Sequence, residues 1–310
     1  MNNFKTPPRV VTLLASGTEI IHALGCGDLL VGRSHECDYP PDVRALPVCT
    51  VALIDAMQDS AVIDRAVKGA VRDALAIYRV DRDLLRALRP DVIITQTQCE
   101  VCAVSLRDVE LAVCDLLDRP AKIVSLEPHA LGNIWRDIAL VADALGVPER
   151  GTVLVARLRG RLADLRERTA PLPAPGVVCI EWIAPLMAAG NWTPELIAAA
   201  GGHNLAGVAG AHSPWLTPEQ LVARGPEVIV VAPCGFDLPR TRVEVRTLTA
   251  QPWWPSLRAV RTGRVYLADG NAYFNRSGPR VVETAEMLAA MLHPGLRLDA
   301  GEGDAWERLR

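Results

Sequence analysis

The side chains best suited to chemistry are thiols and an imidazole. Cys99-Glu100-Val101-Cys102 sets two thiols at a spacing used by metal and redox sites, and His35-Glu36-Cys37-Asp38 puts an imidazole beside a third thiol. Thiolate with imidazole suits zinc or another soft ion. A Cys-x-x-Cys pair also suits a redox or disulfide pair, or two packed side chains. A complete zinc site normally shows a second close pair, and a thioredoxin-type enzyme carries its pair after its first strand; this chain does neither. Metal ligation through Cys37, Cys99 and Cys102, a redox pair and plain packing all stay open.

A second set is aromatic. Glu181-Trp182, Asn191-Trp192, His212-Ser213-Pro214-Trp215, Cys234-Gly235-Phe236-Asp237 and Tyr273-Phe274 fall near strand ends of the second half. The whole chain has only seven Trp, four Tyr and three Phe, so this concentration is informative. Flat rings can line a pocket for a large planar macrocycle while indole and phenol groups meet its polar rim. Trp182 and Phe236 read equally as core, and Trp253-Trp254 as packing. His22, His129, His203 and His293 read as surface or core residues. Catalytic templates fail: the chain has no Gly-x-x-x-x-Gly-Lys-Ser/Thr loop, no Gly-x-Ser-x-Gly elbow and no His-Glu-x-x-His helix.

The elements that must position these residues alternate. Val10–Leu14 reads as a buried strand, and Thr18 can cap the helix that follows, which Gly25 and Gly27 end. Leu29–Val31, Asp91–Thr95 and Lys122–Ser125 read as further strands, with helices at Asp81–Leu88 and around Ser105–Leu117. Pro148–Thr169 keeps apolar residues at Val153, Leu154, Leu158, Leu162 and Leu165, which predicts one helix of about 30 Å at 1.5 Å per residue. Strands restart at Val177–Ile180, Val228–Val231 and Arg264–Leu267, with helices at Pro194–Ala200, Thr217–Ala223 and Gly278–Leu292. The expectation is two α/β lobes with parallel-rich, three-layer architecture, residues 1–147 and 171–310, joined by a single helix over 148–170. Strand-end loops of both lobes, including those carrying His35 and Cys99, should then face a shared cleft with little hinge motion.

Composition narrows the function. With 310 residues, 50% hydrophobic and net charge −3, the chain is globular and offers no broad basic surface, so nucleic acid is not expected as a partner. No run approaches the roughly 20 apolar residues of a membrane span. The N-terminus lacks a secretory pattern, which predicts a cytoplasmic protein as the sequence stands, or a periplasmic one if a signal was removed. Eight scattered Cys do not dictate a disulfide framework.

Several segments, Arg9–Glu19, Cys37-Asp38-Tyr39-Pro40-Pro41, Leu84–Ile94, Pro214-Trp215 with Thr217–Arg224, and Tyr273–Arg280, together resemble the cobalamin and iron-chelate substrate-binding proteins of ABC importers. The likeness runs over about residues 8–295 and implies a two-lobed binding protein with a helical spine, not an enzyme, that passes a corrinoid or metal chelate to a permease. By the resemblance, Tyr39, Trp215, Phe274 and Arg276 line the pocket, and Asp83 and Glu219 meet permease arginines. Both acids also suit helix N-termini on their own account. Ala272 stands where the vitamin receptor has an acidic residue, and Val51–Val80 replaces a short aromatic segment. The chain resembles a subgroup labelled cobalamin-binding protein, whose members commonly lack a secretion signal.

The expected ligand set is Tyr39, His35, Cys37, Cys99, Cys102, Glu181, Trp182, Trp192, Trp215, Phe236, Tyr273, Phe274 and Arg276, in a monomer that binds cobalamin or a related chelate. A thiolate could also ligate cobalt. One rival is a cytosolic metal- or thiol-handling protein that uses Cys37, Cys99 and Cys102 for zinc. Another is a corrinoid-processing enzyme that uses His35, Glu36 and Glu181.

Overall fold

The computed structural model describes residues 6–72, 78–96 and 121–310. Both Cys99 and Cys102, and the helix expected around 105–117, lie outside the described residues. Two compact units emerge: Met1–Gln58, Val62–Pro128 and Gly132–Arg157 in the first, and Asp59–Ala61, His129–Leu131 and Leu158–Arg310 in the second.

The first unit is built on β1 (Val10–Thr12), β2 (Leu30–Gly32), β5 (Val92–Gln96) and β6 (Lys122–Leu126), in the order β2-β1-β5-β6 and parallel throughout. Strands buried on both faces must be apolar on both faces, which is why Val10, Val11, Val92, Ile93 and Ile94 are all fully buried. On one face Val11, Leu13 and Ile93 pack with Cys49 and Leu85. The helix Ala15–Ala23 approaches β5 closely, because a Cβ on Gly17 would lie 3.0 Å from Ile94. The segment that replaces the aromatic stretch forms a small antiparallel pair, β3 (Thr50–Ala52) with β4 (Tyr78–Val80), and the helix Ser60–Arg72.

Thr18 does not cap the first helix. Leu14 occupies the cap without a side-chain bond, and Thr18 is buried inside, 2.5 Å from the Thr12 hydroxyl. Asp81 does cap the helix Arg82–Leu88 by accepting from the Leu84 N–H at 2.9 Å.

The second unit holds β7 (Gly176–Trp182), β8 (Met187–Ala188), β9 (His203–Asn204), β10 (Val228–Val231), β11 (Val265–Ala268) and β12 (Trp306–Arg308). The order is β12-β11-β10-β7-β8, with β9 on β7, and β7, β10 and β11 are mutually parallel. One face carries Val178, Ile180, Ile229, Val231, Val265 and Leu267 into a large core with Leu221, Leu238 and Trp254. On the other, Val177 lies beside Ile197 and Leu292 of the helices Thr193–Ala199 and Val281–Leu292. The helix Pro148–Thr169 has the expected bounds. Its buried stripe is Leu154, Leu158, Leu162 and Leu165, whereas Val153 falls off the stripe and is 68% exposed.

Candidate functional site

In the first unit the chain leaving β2 forms two polar clusters. Cys37 is 1% exposed, and its Sγ receives the Thr18 hydroxyl at 3.0 Å and lies 3.6 Å from Thr12 Oγ1. It packs beside Ala15 and Val43. Cys37 is therefore turned into the interior rather than into a metal site, held there by two hydroxyls that its sequence neighbours do not supply. Among the described residues no group of three or more His, Cys, Asp and Glu side chains could hold a metal ion. Zinc has no support.

His35, two residues away, is half-buried and faces differently. Its backbone N–H donates to Thr50 Oγ1 at 2.9 Å, and its Nδ1 lies 2.7 Å from the same oxygen. The Thr50 hydroxyl donates to Ser34 Oγ at 3.0 Å. The ring packs on Tyr78 with centroids 4.9 Å apart, and the Tyr78 hydroxyl donates to Glu36 Oε1 at 2.8 Å. Burial lowers the His35 pKa, against an opposing pull from Glu36. Nothing in the local sequence pointed to Thr50 or Tyr78, which arrive on β3 and β4. Tyr39 lies on the surface, 45% exposed.

At the carboxyl end of β6, Asp137 is 1% exposed and accepts from the Glu127 N–H at 3.1 Å. Its Oδ1 has no hydrogen-bond partner among the described residues, and an Arg136 nitrogen stands 3.7 Å away. Desolvation pushes this carboxyl up to about 6.

In the second unit the carboxyl ends of β7, β10 and β11 bring aromatic and cationic groups together. Trp182, half-buried at the end of β7, meets Phe236 from the loop after β10, with centroids 5.4 Å apart and planes at 59°. The Arg240 guanidinium carbon lies 3.7 Å from the Phe236 centroid. Glu181 accepts from the Ser213 hydroxyl at 2.9 Å, and that hydroxyl accepts from the Gly190 N–H at 3.0 Å. After β11 the turn Gly270–Phe274 is wound wider than an α-helix, with N–H groups bonding five residues back (Phe274 to the Asp269 carbonyl, Asn275 to that of Gly270), and Asp269 caps it by accepting from the Ala272 N–H at 2.6 Å. Only glycine fits its start, since a Cβ on Gly270 would lie 2.0 Å from the Pro233 carbonyl oxygen.

This turn presents Tyr273, with the Arg280 guanidinium carbon 4.9 Å from its ring centroid, and leads into Arg276, which donates to Asn271 Oδ1 at 3.2 Å. Burial raises the Tyr273 pKa. Arg276 and Arg280 are themselves 5% and 7% exposed. Phe236 and Phe274 are each 2% exposed and belong to the core, and Trp192 is buried with no partner for its indole N–H among the described residues. Trp215 stands out at 49% exposed. Trp182 and Phe236 thus meet through loops of neighbouring strands, and the turn that carries Tyr273 is tied to the Phe236 carbonyl by the N–H groups of Gly270 and Asn271, whereas Trp192 belongs to the turn before the helix Thr193–Ala199.

Asp83 and Glu219 lie in the first turns of the helices Arg82–Leu88 and Pro218–Arg224. The Asp83 side chain is 92% exposed and accepts from Arg86 at 2.8 Å. Backbone N–H donation and the Thr217 hydroxyl hold the Glu219 carboxyl below its usual range.

Comparison with known proteins matches this architecture along almost the whole chain. A substrate-binding lipoprotein of an ABC transporter from Bacillus subtilis, itself uncharacterised, is 23% identical over 300 residues, covering 94% of this chain and 81% of its own. The vitamin B12-binding protein of Photorhabdus laumondii is 25% identical over 295 residues, covering 94% and 90% respectively. The apo structure of the periplasmic heme-binding protein RhuT from Roseiflexus superposes with a TM-score of 0.69 at 24% identity, covering 94% of this chain and 100% of that one. The pattern that defines the periplasmic binding protein family runs through residues 10–272, from the first strand of the first unit to the glycine-started turn of the second, and the chain belongs to that family of ABC-importer substrate-binding proteins.

Proposed function

We propose that this protein binds a cobalamin-type corrinoid, or a related planar metal chelate, without transforming it, and hands it to an ABC permease. The observation that carries this reading is the Trp182–Phe236 ring pair at neighbouring strand ends, with Tyr273 on the turn after β11 and Trp215 exposed in the same unit. Aromatic faces give a macrocycle large contact area at low entropic cost, and the flanking arginines supply directed polar contacts at its rim. The named relative that binds vitamin B12 points the same way.

In this proposal residues 1–147 and 171–310 are the two lobes and 148–170 their helical connection. Asp83 and Glu219 are the carboxylates offered to permease arginines; both are short-range acidic contacts that cost the fold little to expose. The protein works outside the cytoplasmic membrane, as family members do.

Calorimetric titration with aquocobalamin and, separately, hemin tests the reading. Saturable one-to-one binding of either, weakened at least tenfold by Trp182→Ala, is the expected result. A folded protein that binds neither would refute it.

A further inference from the structure

A cavity of about 540 Å³ lies within the second unit, on the sheet face turned away from the core that holds Val265 and Leu267. Its floor is Tyr266 of β11 with Trp306 and Arg308 of β12, which stand two residues apart and so share one face. Arg308 is the direct antiparallel partner of Tyr266. One wall is the end of the helix Val281–Leu292 with Pro294, and the roof is the chain from Leu296 to Glu302. Three bonds pin that roof. The Leu296 N–H donates to the His293 carbonyl at 2.8 Å, Arg168 donates to the Arg297 carbonyl at 3.3 Å, and the Trp306 indole N–H donates to the Ala300 carbonyl at 2.8 Å. The space is therefore fixed by contacts that do not fill it, and its size is ordinary for a small-molecule pocket.

The rings of Tyr266 and Trp306 are each 5% exposed and meet edge to face, with centroids 5.7 Å apart and planes at 71°. Trp306 commits its N–H to Ala300, but the Tyr266 hydroxyl has no hydrogen-bond partner among the described residues. A phenol so deeply buried costs stability unless its hydroxyl meets something polar, and the cavity is the space it borders. Around the rings stand two cations, Arg297 and Arg308, and two anions, Asp299 and Glu302. The Gly263 carbonyl holds Arg308, and among the described residues none of the four makes an ion pair. Lining charge that sums to zero favours neither a plain anion nor a plain cation, whereas a molecule that carries both signs can meet both.

We propose that this cavity is a second binding site, separate from the aromatic loops, for a small aromatic zwitterion: the chemistry of an aromatic amino acid or of a short peptide that contains one. The ring of the ligand packs on Tyr266 and Trp306, its carboxylate faces Arg297 and Arg308, and its ammonium group faces Asp299 and Glu302. The Tyr266 hydroxyl bonds the polar end. Binding is reversible and leaves the ligand unchanged.

Calorimetry and saturation-transfer NMR test this with L-phenylalanine and glycyl-phenylalanine, against phenethylamine, which lacks the carboxylate, and 3-phenylpropionate, which lacks the amine. Saturable one-to-one binding of a zwitterion is expected, with both single-charge probes weaker by about tenfold or more. The tighter zwitterion tells the free amino acid from the peptide. Arg297 and Asp299 are exposed, so truncating them leaves the fold intact. Arg297→Ala should weaken the zwitterion about tenfold and leave phenethylamine unchanged, and Asp299→Ala should weaken it likewise and leave 3-phenylpropionate unchanged. Tyr266→Phe, which removes only the hydroxyl, should weaken it about fivefold. Aquocobalamin and hemin affinities should stay unchanged in all three variants. The proposal is overturned by no saturable binding of either zwitterion to the folded protein, by equal binding of the single-charge probes, or by affinity that survives Arg297→Ala and Asp299→Ala together. Loss of the zwitterion in Trp182→Ala would move it to the aromatic loops and overturn the proposal as well.

Discussion

The strand-end loops of the two units are built from opposite materials. In the first, small polar groups dominate: Thr12, Thr18 and Cys37 bond one another, and Ser34, Thr50 and His35 form a second chain of hydroxyl and imidazole. In the second, rings and guanidinium groups dominate, with Trp182, Phe236, Tyr273 and Phe274 among Arg240, Arg276 and Arg280. Hydrogen-bond chains fix direction and add little net stability, whereas buried rings carry area and hold the local fold. One region is thus a small hydrogen-bonded polar network, and the other a set of rings resting on its own core.

The largest effect that separates the two is on stability. Phe274 is 2% exposed and closes the turn after β11, so Phe274→Ala should cost about 3–5 kcal/mol. Thr18→Val, which removes a hydroxyl from the first region's network while keeping its volume, should cost only about 1–2 kcal/mol. Urea unfolding of both variants measures the difference. Equal costs would abolish the distinction between a ring cluster and a hydroxyl network.

The same distinction explains what the sequence disclosed. Strands such as Val228–Val231 and the leucine stripe of Pro148–Thr169 are legible because each is a local period matched to one buried face. The aromatic loops could be picked out because large rings are rare and fell beside readable strand ends. The hydroxyl networks were illegible for the converse reason. Thr18 looks like a helix cap, but it bonds Cys37, 19 residues on. His35 is anchored by Thr50 across 15 residues, through strands of only three residues that show no period. Short antiparallel strands such as β3 and β4 are specified by pairing, which is non-local, so Val51–Val80 showed its length and not its role.

A smaller effect concerns pH and lies in the first unit alone. The Asp137 carboxyl is raised to about 6 by burial, from about 4 in an unfolded chain. The folded protein therefore binds this proton more tightly, and between about pH 4 and 6 the folded state holds more protons than the unfolded one. Stability contributed by the protonated form is present below pH 4 and is lost as pH rises through about 6, by on the order of 2–3 kcal/mol. Asp137→Asn should flatten that part of the stability profile in urea titrations across the window. An unchanged slope would mean that Asp137 stays ionised throughout, with its pKa near the unfolded value.

The smallest stability effect should accompany a large effect on binding, at Trp215. Its ring is 49% exposed, so truncation removes little buried area, and Trp215→Ala should change unfolding free energy by less than about 1 kcal/mol. Trp192 is the control: at 7% exposed, its truncation should destabilise by about 3 kcal/mol or more. An exposed indole offers its area to whatever docks against it, and on the proposed function aquocobalamin or hemin affinity should drop about tenfold in Trp215→Ala. Calorimetry and thermal melts on the same samples read both quantities. Loss of stability without loss of affinity would assign Trp215 to the fold and confine the contact surface to Trp182, Phe236 and Tyr273.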